Sequence, residues 1–98
     1  MNGITVIDLL KIKKPTIIDI RDNYAYNFGH MKKAINVPYY NLLNNSSHFL
    51  DKNTIYYLYC ETGEQSLEIV RRLNSFGYDT VNIMGGYLEY VNFVDGKR

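Results

Sequence analysis

Short apolar runs rich in β-branched and aromatic residues alternate along this chain with segments whose apolar residues recur at helical spacing. That alternation restricts the chain to a parallel sheet covered by helices on both faces. The strand candidates are Thr16 to Ile20, Ala34 to Val37, Thr54 to Cys60 and Thr80 to Met84, with a weaker one at Ile4 to Val6. Ala34 to Val37 and Thr54 to Cys60 show little polar alternation, so both read as strands buried on two faces. The helix candidates between them are Ile7 to Lys13, Asn23 to Gly29, Asn41 to Leu50, Ser66 to Phe76 and Tyr87 to Val94. Ser66 to Phe76 is the best defined. Ile69, Val70, Leu73 and Phe76 form one apolar stripe, Glu68 precedes Arg72 by one helical turn, and Gly77 supplies a left-handed stop. Ser66 at its start is placed to cap the first free N–H groups.

The chain has 98 residues, 46% of them apolar, with 11 Lys+Arg against 10 Asp+Glu, so the formal charge is 11 − 10 = +1. This is enough to bury one core, and the expectation is one domain over residues 1–98. The near-zero charge removes the electrostatic basis for gripping nucleic acid or an anionic membrane. The densest basic stretch, Lys11 to Lys14, is broken by Ile12 and reads as the solvated end of a helix. No run approaches the ~18 apolar residues that cross a bilayer, and the first residues lack the pattern of a secretory signal. One cysteine, Cys60, makes no internal disulfide, which suits a reducing, cytoplasmic setting.

The chemistry is concentrated where the strand Thr54 to Cys60 runs into the helix at Ser66. Cys60 ends the strand, and Glu61-Thr62-Gly63-Glu64-Gln65-Ser66 forms a tight glycine-containing turn. In open α/β sheets ligands bind at this edge. Successive N–H groups curling toward a helix N-terminus make an anion-binding nest that favours an ionised thiol. A free cysteine is more commonly a small buried hydrophobe. The strand, loop and helix together instead predict a reactive one. Asp19 and Arg21, two apart at the end of a strand, share a face beside this edge and are expected to shape the pocket behind Cys60.

Four blocks of the sequence resemble the single-domain rhodaneses, sulfurtransferases that carry sulfane sulfur as a cysteine persulfide. They are Ile17-Ile18-Asp19-Ile20-Arg21, Gly29-His30-Met31-Lys32-Lys33-Ala34-Ile35-Asn36-Val37-Pro38, Tyr59-Cys60-Glu61-Thr62-Gly63-Glu64-Gln65-Ser66, and Phe76-Gly77-Tyr78 followed by Gly85-Gly86. The resemblance implies a rhodanese-like α/β fold with a five-stranded parallel sheet, and Cys60 as the residue that takes the sulfur. It implies double displacement without metal or organic cofactor. The partners would be a sulfane-sulfur donor and a thiol or protein acceptor, and the amides from Glu61 to Ser66 would stabilise thiolate and persulfide.

The chain departs from the family pattern at several points. Gln65 stands where an arginine is common, Glu61 and Glu64 make the loop acidic, Ala25 replaces a glutamate, Lys33 a glycine and Tyr90 a tryptophan. Two outward carboxylates would disfavour a small dianion such as thiosulfate, because a like charge at 4 Å costs roughly 1 to 4 kcal/mol between water and a protein surface. Two other readings compete. A cysteine phosphatase or arsenate reductase needs an arginine six positions after the cysteine, where this chain has Ser66. A rhodanese-like interaction module without catalysis would leave the thiol unused. His30 and His48 read as structural and solvent-exposed respectively, and with Cys60 they make no metal site. Gly85-Gly86 reads as a tight turn. Tyr39, Tyr40, Tyr87 and Tyr90 are candidates for a partner surface.

Overall fold

The computed structural model describes residues 2–96. Eleven elements follow one another: β1 (Gly3–Ile4), α1 (Val6–Leu9), β2 (Thr16–Asp19), α2 (Asn23–Phe28), β3 (Ile35–Asn36), α3 (Tyr39–Asn44), α4 (Ser46–Phe49), β4 (Ile55–Tyr59), α5 (Glu64–Ser75), β5 (Asp79–Ile83) and α6 (Gly86–Asp95). The strands form one parallel sheet in the order β1-β5-β4-β2-β3, the parallel α/β architecture expected from the alternating pattern, with the five strands that the resemblance implies.

β4 is central. It pairs Tyr57 with Ile17 and Val81, and Leu58 with Ile18 and Asn82. Successive strand residues point to opposite faces, so the sheet divides the core in two. On one side Ile18, Tyr56, Leu58 and Cys60 pack with Leu42, Ile69, Val70 and Leu73 of the helices. On the other Ile17, Tyr59, Val81 and Ile83 pack with Val6, Leu9 and Met31. Leu58 and Tyr59 are both fully buried, as a strand covered on two faces requires.

β3 departs from the sequence reading. It is an edge strand of two residues, and Ile35 is 54% exposed, so burial on both faces holds for β4 and not for the run Ala34 to Val37. An apolar run shows what a segment tolerates, whereas its place in the sheet is decided by topology. The single helix expected over Asn41 to Leu50 is two short ones, broken at Asn45, whose φ of −135° is not helical. The helix expected over Ile7 to Lys13 ends at Leu9, and Lys11 to Lys14 fall in the following turn.

α5 carries the stripe Ile69, Val70 and Leu73 into the core, while Phe76, just beyond its end, is half exposed. Gly77, with φ of 98°, receives the chain in the left-handed conformation that stops the helix. No helix among the described residues is long and apolar enough to cross a membrane.

Candidate functional site

Cys60 leaves the carboxyl end of β4 in the middle of the sheet, and two neighbouring backbones hold the loop after it. Tyr87 N–H donates to the Cys60 carbonyl at 2.9 Å and Leu88 N–H to the Glu61 carbonyl at 3.1 Å, so the start of α6 seats the loop. Gly86 makes that approach possible. Its φ is 61°, and a Cβ there would lie 2.5 Å from the Cys60 oxygen. Gly63, with φ of 99°, turns the chain into α5 in the left-handed conformation, and a Cβ would stand 2.9 Å from Gly85 N.

The turn delivers polar groups to the sulfur. Gly63 N–H donates to Cys60 Sγ at 3.1 Å, Ser66 N–H at 3.4 Å, and the Ser66 hydroxyl lies 3.4 Å from it. Cys60 is only 2% exposed and belongs to one of the two apolar cores, yet among the described residues the hydrogen-bonding partners of its sulfur are two amides and a hydroxyl. The Glu64 and Gln65 amides lie in the first turn of α5 and have no acceptor within the helix. The arrangement can hold negative charge on sulfur.

Ser66 does not cap the helix. α5 begins two residues earlier at Glu64, behind Gly63, and Ser66 points inward, fully buried. Its hydroxyl donates to Asn82 Oδ1, and Asn82 Nδ2 donates to the Gly63 carbonyl at 3.2 Å. Glu61, Thr62, Glu64 and Gln65 are exposed, whereas Ser66 turns inward.

Asp19 and Arg21 are brought to the loop as a connected pair. Asp19 is fully buried and accepts from the Arg21 backbone N–H at 2.9 Å, from Nε at 3.1 and 3.2 Å and from Nη2 at 2.8 Å. Arg21 Nη2 also donates to the Gly29 carbonyl at 2.6 Å, and Nη1 to Glu61 Oε1 at 2.9 Å. The guanidinium stands 4.3 Å from the Tyr87 ring centroid. The acidic loop therefore faces a guanidinium that arrives from β2, which the loop's own residues do not disclose.

Burial pulls the Arg21 pKa down, but hydrogen bonds to Asp19 and Glu61 outweigh it and hold the guanidinium above its ordinary range. Tyr59 is pushed above the usual tyrosine range by burial first and then by Asp19, and its hydroxyl accepts from Met31 N–H at 2.9 Å.

Two clefts flank this pair. A cleft of about 460 Å³ lies among Arg21, Asp22, Pro38, Tyr39, Tyr40, Glu61, Gln65 and Glu68 with Ile20, Ala25 and Asn41. A second, of about 330 Å³, is lined by Arg21, Ala25, Phe28, Gly29, Glu61 and Tyr87. Both are lined by Arg21 and Glu61, and neither by Cys60 itself.

Tyr39 and Tyr40 line the larger cleft, and Tyr39 donates to Glu68 at 2.7 Å. Tyr90, by contrast, accepts from Lys32 N–H at 3.3 Å. His30 stacks on Tyr26 with ring centroids 3.9 Å apart and bonds its carbonyl through Nδ1 at 2.9 Å, the structural role expected of it. His48 is exposed. Asn82 escaped the sequence reading, although an asparagine between Val81 and Ile83 in a buried strand is itself a signal, since strands disfavour it unless its amide has partners.

A family model for the rhodanese-like domain matches residues 5–93. The Adenylyltransferase and sulfurtransferase uba4 of Ogataea parapolymorpha is 28% identical over 94% of this chain and 24% of its own length. The tRNA uridine(34) hydroxylase of Buchnera aphidicola is 30% identical over 88% of this chain and 30% of its own length. The chain thus spans about a quarter to a third of these curated relatives. A crystal structure of a rhodanese-like domain protein from Staphylococcus aureus superposes with a TM-score of 0.79 at 32% identity, covering 92% of this chain and 91% of that one. With that family match spanning most of its length and the fold in agreement, the chain belongs to the rhodanese-like domain family.

Proposed function

We propose that this protein is a sulfurtransferase or persulfide carrier that moves sulfane sulfur through Cys60. The observation that carries the reading is the pair of amide contacts, Gly63 N–H at 3.1 Å and Ser66 N–H at 3.4 Å, converging on the sulfur at the start of α5. Amides aimed at a sulfur stabilise it as an anion, which is the nucleophilic form.

In the first step the Cys60 thiolate attacks the outer sulfur of a donor persulfide. The Sγ–S bond forms, the donor's S–S bond breaks, and the donor leaves as a thiolate. In the second, an acceptor thiolate attacks the outer sulfur of the Cys60 persulfide, the Sγ–S bond breaks, and the Cys60 thiolate returns. No net oxidation occurs and no resident cofactor is required. The Glu64 and Gln65 amides, free of helix acceptors, would meet the outer sulfur as charge moves onto it. Arg21, held by Asp19, pairs with Glu61 at the edge of the loop.

Thiosulfate is a poor donor in this account. Asp22, Glu61 and Glu68 line the larger cleft, and Arg21, the one guanidinium lining it among the described residues, is already engaged by two carboxylates. Uba4, named a sulfurtransferase, supports the reaction class. A persulfide donor and a thiol acceptor incubated with the protein test the reading: transfer accelerates with the native chain and falls to background with Cys60→Ser. Fast thiosulfate:cyanide turnover that saturates at low thiosulfate contradicts the donor preference.

A further inference from the structure

Against the sulfur lies a short hydrogen-bond chain that transfer by the loop amides does not require. Ser66 is fully buried and Asn82 nearly so. The Ser66 hydroxyl lies 3.4 Å from Cys60 Sγ and is also bonded to Asn82 Oδ1, while Asn82 Nδ2 lies 3.2 Å from the Gly63 carbonyl. The direction of this chain follows from what each group can donate. A carbonyl only accepts, so the Gly63 oxygen requires the amide nitrogen of Asn82. The amide oxygen, also only an acceptor, then faces Ser66, and the single hydroxyl proton of Ser66 goes to Asn82.

Toward Cys60 the serine therefore presents lone pairs. A neutral thiol suits this arrangement, because its S–H can point at Ser66 Oγ. A thiolate does not. It draws the hydroxyl proton toward itself, and Asn82 Oδ1 is then left buried without a donor, at a cost comparable to a lost hydrogen bond.

The geometry points to Asn82 as a positioning residue that competes with the Cys60 sulfur for the one Ser66 hydroxyl proton, making Ser66 a two-position switch between the thiol and thiolate forms. The use of this switch in sulfur transfer rests on the function proposed above, whereas its existence is read from protonation alone. The other titratable and charged groups around the loop are Asp19 and Arg21 at the end of β2, Tyr59 on β4, Glu61 in the loop, Glu64 and Glu68 on α5, Tyr39 on α3 and Tyr87 on α6. None of them hydrogen-bonds Sγ among the described residues. All are retained in the variants below.

Because Cys60 is the sole cysteine, protein isotopically labelled at the cysteine Cβ gives one magnetic-resonance signal that follows thiol ionisation, with no need of a reagent or a sulfur donor. Ser66→Ala removes the side-chain donor available to the thiolate and moves the pH midpoint of that signal up by about one unit. Asn82→Leu frees the hydroxyl and moves it down by a similar amount. In the double variant Ser66→Ala/Asn82→Leu the midpoint equals that of Ser66→Ala alone, because without the serine hydroxyl there is no proton for Asn82 to compete for. An unchanged or raised midpoint in Asn82→Leu, or additive shifts in the double variant, overturns the switch. Should Asn82→Leu fail to fold by circular dichroism, Asn82→Ala is read the same way. The shifts present without sulfur loading defeat the proposed function and leave the switch standing, and loading without the shifts defeats the switch alone.

Discussion

Arg21 Nη1 stands 2.9 Å from Glu61 Oε1 and so ties the end of β2 to the loop that follows Cys60. The same guanidinium holds Asp19, whose side chain is fully buried, at 2.8 Å. The two ion pairs differ in environment and so in worth. Glu61 is half exposed, and solvent screens its pair to about 0–1 kcal/mol. Asp19 has no such exposure. Arg21→Gln leaves it as an uncompensated buried charge and is expected to lower stability by about 3–5 kcal/mol, against at most about 1 kcal/mol for Glu61→Gln. Urea midpoints of the two variants check the ratio, and equal losses would contradict it.

Alkaline pH should unfold the protein through two tyrosines, the fully buried Tyr59 and the partly buried Tyr39. Burial, reinforced by Asp19 at Tyr59 and by Glu68 at Tyr39, raises both folded pKa values above that of an unfolded tyrosine near 10. The neutral phenol is the folded form. Stability from these groups is fully present below about pH 10 and is lost as pH rises through and beyond it, because the unfolded chain ionises first. Urea unfolding at neutral pH and at successive points above about pH 10 should show a steady fall. Tyr59→Phe should start lower, by about 1–3 kcal/mol for the orphaned Met31 N–H, and fall less steeply.

Lys33 holds φ of 67° in the left-handed region, on the exposed turn before β3. For a residue with a Cβ that conformation costs roughly 1–2 kcal/mol, part of which glycine recovers against its greater freedom when unfolded. Lys33→Gly is expected to stabilise the protein by about 1 kcal/mol, a rise of several degrees in Tm for a chain of this size. A neutral or negative shift in a thermal melt would contradict the strain argument.

Gly86→Ala should do the reverse at the site. Its Cβ would meet the carbonyl oxygens of Cys60 and Glu61 at 2.5 and 2.7 Å, so the amides of Tyr87 and Leu88 would lose their hold on the loop. Hydrogen exchange at these two amides should accelerate by an order of magnitude or more, about the loss of one hydrogen bond each. Unchanged protection would show that α6 does not seat the loop.

What the sequence disclosed and what it hid divide along physical lines. β4 and α5 were legible because each carries a local signal: an unbroken apolar run in one, a stripe at helical spacing in the other. The glycines around Cys60 were legible as turns for a similar reason. β3 reads as buried because Ile35 lies in an apolar run, while its exposure follows from an edge position that only the whole sheet determines. Ser66 reads as a cap because serine is common there, whereas Gly63, three residues earlier, turns the chain into α5 and carries Ser66 inside. The pairing of Arg21 with Glu61 crosses forty positions, and no local pattern announces it.

Intact-mass measurement after exposure to a small-molecule persulfide tests the central claim most directly. The native protein should gain a single sulfur that maps by fragmentation to Cys60, disappears with reductant, and is not acquired by Cys60→Ser. An unmodified mass under every donor tried, or an adduct that persists in Cys60→Ser, would contradict a sulfur-carrying role and leave the chain as a rhodanese-like fold without this chemistry.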